Sequence, residues 1–390
     1  MILNKGYSTI YLVYLLVFLG IMSAFGPFVT DMYLPSLPAM TKEFAVSASE
    51  VQSGITASLL GFAVGQIFFG PLSDKVGRRP IMFWSLIIFC VSTVCDIYSP
   101  TMSVFNIFRF FQGIGGAGGI VLSRSVATDC YSGKELAKTM TIIGAINGIA
   151  PIVAPVAGGF VSNIYGWQGV FWVLLAIGLI LLGFSVPFVE SLSADKRVSG
   201  SLAASYKKFI DLMKIRGFMW CILIFALTSG ILFSYIPSAP FIVQNIFQYS
   251  DTQFSIIFAI NAVAIVLGST ISIKFPTLHK SIWCGALLSC LFSILNLVNA
   301  LTWKMFWLYE ISTWFTLVGL GLIFPSVTTM AMERGRMAVG AASAIVGASG
   351  FIAGGIISPL SGMFNILLSA SILMSVCGTG IIIFQKKLAN

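Results

Sequence analysis

The sequence predicts an all-α membrane protein with twelve transmembrane helices arranged as two pseudo-repeated halves of six. Three observations carry that prediction. Of 390 residues, 57% are hydrophobic and only 9% charged, so a soluble globule would expose far too much apolar surface. Apolar runs of about 20 residues or more, each able to cross a hydrocarbon core of roughly 30 Å as a helix, recur along the whole chain. Short motifs also return after a displacement of 202 or 203 positions.

The runs lie near 8–34, 50–72, 79–98, 101–124, 138–162 and 167–188, then near 218–243, 253–274, 282–301, 305–329, 338–360 and 364–385. Between the two sets, Glu190–Gly217 reads ESLSADKRVSGSLAASYKKFIDLMKIRG, the longest hydrophilic stretch. It divides the chain into a six-helix half at 1–190, a linker at 191–217 and a second six-helix half at 218–390. The first run lacks a small-x-small cleavage site and is expected to remain as an uncleaved anchor.

Orientation follows from the 22 Lys and Arg, because cationic loops stay in the cytoplasm. With the N-terminus inside, 19 of them fall in inner loops and termini, Arg124 among them; Lys42 and Lys304 fall outside, and Arg109 lies within the fourth run. Both termini and the linker are therefore expected in the cytoplasm. The net charge of +9 is accounted for by this topology and by anionic lipid of the inner leaflet, with no call for nucleic acid as a partner. Seven cysteines without a C-x-x-C pair, and the single His279, argue against metal or disulfide chemistry, so no cofactor is expected.

The repeats place related segments in corresponding helices. YLPSLP (Tyr33–Pro38) returns as YIPSAP (Tyr235–Pro240), and GAINGIAPIVAPVAGG from Gly144 faces GASGFIAGGIISPLSG from Gly347. Same-direction repeats of six helices are a transporter architecture in which substrate binds between the halves near mid-membrane.

Three motifs can be read physically. In GPLSDKVGRRP, Gly70 and Gly77 permit a tight turn, while Asp74 sits among Lys75, Arg78 and Arg79; the cluster reads either as a latch or as a positive-inside anchor. In RFFQGIGGAGG, Gly113, Gly115 and Gly118 spell G-x-G-x-x-G, but inside an apolar run they serve close helix packing and not dinucleotide binding. In APIVAPVAGG, Pro151 and Pro155 remove backbone donors and Gly158 and Gly159 admit a neighbour, which suits either a rocking bend or plain packing.

Together these segments resemble the major facilitator superfamily. GPLSDKVGRRP is similar to its loop between helices two and three, RFFQGIGGAGG to its fourth-helix motif, and APIVAPVAGG to the fifth-helix motif of antiporters, with Ala150 and Ala154 where glycine is usual. DMYLPSLP and SPTMSVFNIFRFFQG most resemble the bicyclomycin and chloramphenicol resistance exporters. The resemblance implies the major facilitator fold and drug:proton antiport. It also implies a latch in which Asp74 contacts the other half near Ala338, with Asp129 as partner for Arg78.

Buried charge marks the candidate site, because ionisable residues inside a membrane are costly. Asp31, Arg109 and Glu310 are the three charged residues placed well inside, whereas Asp96 and Asp251 read as solvated helix ends. Asp31 and Arg109 fall at similar depth and are expected to meet, as a proton-coupling pair or as a structural salt bridge. Thr30, Tyr33 and Gln112 surround them as substrate-binding candidates. Glu310, among Trp303, Trp307, Tyr309 and Trp314, reads either as a shallow member of an aromatic belt or as a group for cationic substrates.

The expectation is an inner-membrane, proton-coupled efflux antiporter for amphipathic antibiotics, acting as a monomer by alternating access in contact with lipid. Export of a metabolite such as an amino acid or siderophore by the same machinery is the alternative. No catalytic constellation supports an enzyme, and no G-x-x-x-x-G-K-[ST] loop supports an ATP-driven pump. The topology has a direct test: on intact cells, an impermeant thiol reagent is expected to modify a cysteine introduced at position 46 and to spare one at position 200.

Overall fold

A computed structural model describes residues 9–131, 133–197 and 202–389. The first crossing is segmented: α1 (Thr9–Ser23), α2 (Phe25–Asp31), a 3-10 turn (Leu34–Ser36) and α3 (Leu37–Glu43) follow one another. Proline causes the segmentation. Pro35 and Pro38 sit in the first turns of the two short pieces, where a missing N–H costs no helical bond. The helices α4 (Ala48–Val76), α5 (Arg78–Ile97) and α6 (Met102–Cys130) come next, α4 opened by a Ser47–Glu50 capping box and α6 by the Thr101 hydroxyl. A long run, α7 (Gly133–Ser185), is broken at Gly166, whose φ of 69° lies in the left-handed region that favours glycine.

In the linker the structure shows a helix, α8 (Leu202–Met213). The second half consists of α9 (Arg216–Tyr235), α10 (Asp251–Ser272), α11 (Leu278–Leu301), α12 (Phe306–Arg334), α13 (Val339–Ser361) and α14 (Ile366–Ala389). Among the described residues ten helical stretches are long and apolar enough to span a membrane. One of these is the 48-residue Lys138–Ser185 segment, which the Gly166 break divides into two crossings. The twelfth crossing is α6, whose 29 residues carry Arg109, Arg124 and Asp129 and so read as more polar than its neighbours.

Two helix ends differ from the sequence expectation. The helix α4 continues to Val76 and α6 to Cys130, so Arg124 belongs to the interior of a helix and not to a loop. The related motifs act alike in both halves: the helix stops at Asp31, two residues before Tyr33, in one and at Tyr235 in the other, and a π-helical turn (Phe241–Ile246) follows the second.

The halves meet along α4 with α13 and along the first arm of α7 with α10. Small residues set the spacing: a Cβ on Gly159 would lie 2.2 Å from Ser255 Oγ, and one on Gly347 would lie 2.2 Å from Gln66 Oε1. Away from the cationic loops, this face is held shut by bonds between halves. Gln52 Nε2 donates to the Pro237 carbonyl (2.9 Å), Ser361 Oγ to Gln52 Oε1 (3.3 Å), Ser358 Oγ to the Gln52 carbonyl (3.3 Å), Ser49 Oγ to the Pro359 carbonyl (3.0 Å) and Gln244 Nε2 to the Pro35 carbonyl (3.0 Å).

The three glycines of the G-x-G-x-x-G string bring α6 against its neighbours. A Cβ would lie 2.2 Å from the Ser58 carbonyl oxygen at Gly113, 2.5 Å from the Phe89 nitrogen at Gly115 and 2.3 Å from Ser85 Cβ at Gly118. Because the opposing atoms at Gly113 and Gly115 are backbone, neither contact can relax by a rotamer change. Gly115→Ala is expected to lower the melting temperature of the detergent-solubilised protein by an overpacking cost of about 1–3 kcal/mol. Gly144→Ala, with no atom within 4 Å of the added Cβ, is expected to leave it unchanged or raise it.

Candidate substrate and coupling site

Arg109 has a relative exposure of 0% and sits where α6 crosses the end of α2. Its guanidinium donates to the Val29 carbonyl at 2.9 Å and to Gln112 Oε1, and Gln112 Nε2 in turn donates to Thr93 Oγ1 at 2.7 Å. The Val29 carbonyl is available because α2 ends at Asp31, which leaves its last carbonyls without helical partners. A cation there also meets the negative end of the helix dipole. The guanidinium carbon lies 4.5 Å from the centroid of the Tyr33 ring and 5.4 Å from that of Phe171, so aromatic faces take over part of the lost hydration. A single side chain therefore ties α2, α5 and α6 together.

Asp31 and Arg109 do not form the pair expected from the sequence. Asp31, 4% exposed, accepts one hydrogen bond, from Thr30 Oγ1 at 2.7 Å, and among the described residues no cation pairs with it. The reason is geometric: the segmented first crossing turns the Asp31 side chain to the central cavity, while its main chain supplies the carbonyl that Arg109 takes. Asp96 also departs from expectation. It is fully buried near the end of α5, within electrostatic reach of Arg109, and neither carboxylate oxygen receives a hydrogen bond from the described residues.

Asp31 and Thr30 line a cavity of about 370 Å³ between the two halves. Pro151 and Arg124 come from the first half, and Tyr235, Asn261, Phe233 and Phe351 from the second. Tyr33, Gln112 and Glu310 do not line it. Tyr33 and Gln112 hold Arg109, while Glu310 lies behind Asn261, whose Nδ2 donates to Glu310 Oε1 at 2.8 Å and lies 3.0 Å from Tyr235 Oη. Glu310 is thus turned into the bundle, whereas its neighbours Trp303 and Trp307 face outward. Pro151 and Pro155 lie within an unbroken stretch of α7; a Cβ on Gly158 would lie 1.6 Å from the Met32 carbonyl oxygen, so this glycine seats the first crossing.

A second cavity, of about 630 Å³, continues from the first towards the cationic loops and is bordered by Asp74 and Arg78 on one side and Ala338 and Gly340 on the other. Arg78 lies between two carboxylates, 2.6 Å from Asp74 and 2.9 Å from Asp129, and also donates to Ser73 Oγ at 2.7 Å. Gly77 takes φ 115°, and a Cβ there would lie 2.5 Å from Glu190. Glu190 accepts from the backbone N–H groups of Arg78 (2.9 Å) and Arg79 (3.1 Å), capping α5. The sequence marked Glu190 only as the start of the linker. A G-R-R turn, which leaves two helix-initial N–H groups without a local cap, was the signal that an acceptor must arrive from elsewhere. A Cβ on Gly70 would lie 4.0 Å from Val121, with room to spare.

Residues 11–359 match the family model described as Major Facilitator Superfamily. The chain belongs to the major facilitator superfamily. An MFS-type transporter of Bacillus subtilis strain 168, itself uncharacterized, is 34% identical over 351 residues, covering 88% of this chain and 87% of that one. The bicyclomycin resistance protein homolog of Haemophilus influenzae is 28% identical, with coverage of 88% and 87%, and multidrug resistance protein D of Escherichia coli K12 is 26% identical, with 90% and 88%. Among solved structures, the xylose transporter XylE from E. coli has a TM-score of 0.76 at 15% identity, covering 97% of this chain and 98% of that one, a likeness of fold.

Membership of the major facilitator superfamily gives the cavity between the halves its general meaning: this is an integral membrane transporter of small molecules rather than an enzyme. Arg109 then stands as the organiser of the first half. Arg109→Lys, which loses the forked donor geometry, is expected to lower the melting temperature by the equivalent of about 1.5–3 kcal/mol. Tyr33→Phe keeps the ring over the cation and removes a hydroxyl that is buried without a hydrogen-bond partner, so its melting temperature should equal or exceed that of the unmodified protein.

Proposed function

We propose that the protein is a bacterial inner-membrane multidrug efflux antiporter, driven by proton entry and working by alternating access. The observation that carries this reading is Asp31: a buried carboxylate with one neutral hydrogen-bond donor and no ion-pair partner among the described residues, lining the cavity between the halves. Keeping such a group charged in the membrane interior is costly, which suits it to exchange a proton. A drug entering beside Thr30 and Asp31 would exclude water and compete with that proton, the coupling that antiport requires. The relatives named for bicyclomycin and multidrug resistance support drugs as cargo, and the phenylalanine-lined cavity suits amphipathic ones.

In this reading the 630 Å³ cavity is the route from the cytoplasm, and the shape is inward-open. The Asp74–Arg78–Asp129 cluster then stands apart from the Ala338 end of α13 and meets it when the cavity closes. The coupling has a direct test in purified, detergent-solubilised protein. Adding a drug to which the transporter confers resistance in a pump-depleted host is expected to release protons from the unmodified protein and none from Asp31→Asn, while the variant still binds drug. Undiminished release from Asp31→Asn would move the carrier elsewhere, with Glu310 the first group to examine.

A further inference from the structure

Three arginines of the first half are buried in, or face the interior of, the bundle, and two are engaged by protein: Arg78 with two carboxylates, Arg109 with a helix end, Gln112 and two rings. The third, Arg124, makes no hydrogen bond, ion pair or ring contact with the described residues. It lies fifteen residues beyond Arg109 on the same helix, about 22 Å along the axis at 1.5 Å per residue. It is enclosed by protein, yet its side chain is exposed, because it faces the cavities. Arg124, Gln66, Ile120, Met332 and Ser343 border both the 370 Å³ and the 630 Å³ cavities, so the guanidinium stands at the passage between them. Along the inner cavity the only charged residues lining it, among those described, are Asp31 and Arg124.

We propose that Arg124 is an anion subsite for the cargo, and that the transporter prefers amphipathic molecules carrying a carboxylate. A guanidinium without a partner among the described residues, beside a cavity lined by Phe225, Phe233, Phe258, Phe324 and Phe351, offers a forked donor to one end of a molecule whose body is apolar. The opposite pole is Asp31, so a neutral or cationic far end is accommodated. The assignment rests on reading this cavity as the cargo site.

The test uses purified full-length protein and two matched pairs, norfloxacin with its methyl ester and fusidic acid with its methyl ester, with affinity read from ligand-induced shifts in melting temperature. The unmodified protein is expected to bind at least one acid about tenfold more tightly than its ester, the effect of one charge-assisted contact. Arg124→Gln is expected to bind acid and ester alike, and Arg124→Lys to restore part of the preference; ester binding reports that each variant is folded. Equal affinity of the unmodified protein for acid and ester in both pairs, binding of neither acid, or a preference that survives Arg124→Gln would overturn the proposal. A preference that holds in protein that neither exports drug nor releases protons would confirm the subsite and reject the efflux reading, so the two failures are separable.

Discussion

The burial of Arg109 is the constraint on which the first half is built. A guanidinium that never deprotonates cannot escape the membrane interior by neutralising itself, so its surroundings must compensate much of its lost hydration. They do so through a helix end made by proline-rich segmentation, a glutamine braced by Thr93, and aromatic faces from two helices. That arrangement explains the broken first crossing: a continuous helix through Tyr33–Pro38 would have used the Val29 carbonyl internally. It also leaves the Asp31 side chain uncommitted, because the arginine takes the Val29 carbonyl and Gln112 instead.

The two carboxylates near this arginine are differently placed. Asp31 opens on the cavity, whereas Asp96 is fully buried with no donor at either oxygen among the described residues. The second half answers with the Tyr235–Asn261–Glu310 set, in which the amide that touches Glu310 also lines the cavity. Charge and the cavity wall are therefore linked through one neutral side chain in that half, and directly in the other.

Much of this was legible in the sequence, for identifiable reasons. Apolar length revealed the crossings, and the repeated Tyr-x-Pro segments revealed the two halves, because prolines break helices at the same depth in each. The Arg78–Asp129 contact came from a family resemblance and not from spacing. What the sequence hid was rotational. Hydropathy gives depth but not which way a side chain turns, so Asp31 and Arg109 were expected to face one another. Asp96 was read as solvated from its place at a helix end, although α5 packs that end inward. Arg124 was lost to the loops because its helix continues past the point where apolarity stops, which is a property of close packing by glycine and not of composition.

The face that is shut is held in an asymmetric way. Three of its acceptors are carbonyls of Pro35, Pro237 and Pro359, and a fourth is the Gln52 carbonyl, whereas the donors are side chains of Gln52, Gln244, Ser49 and Ser358. Main-chain oxygens survive any substitution, so the vocabulary of this seam lies almost wholly in its donors. Each bond is worth about 0.5–1.5 kcal/mol, so the five together come to a few kcal/mol. That is the size of the differential affinity, about 5.5 kcal/mol, needed to carry a two-state equilibrium from one side to the other. Under the proposed alternating access, the seam is of a strength that a bound molecule can overcome, and exchanging one donor would reset the resting balance without touching the pocket.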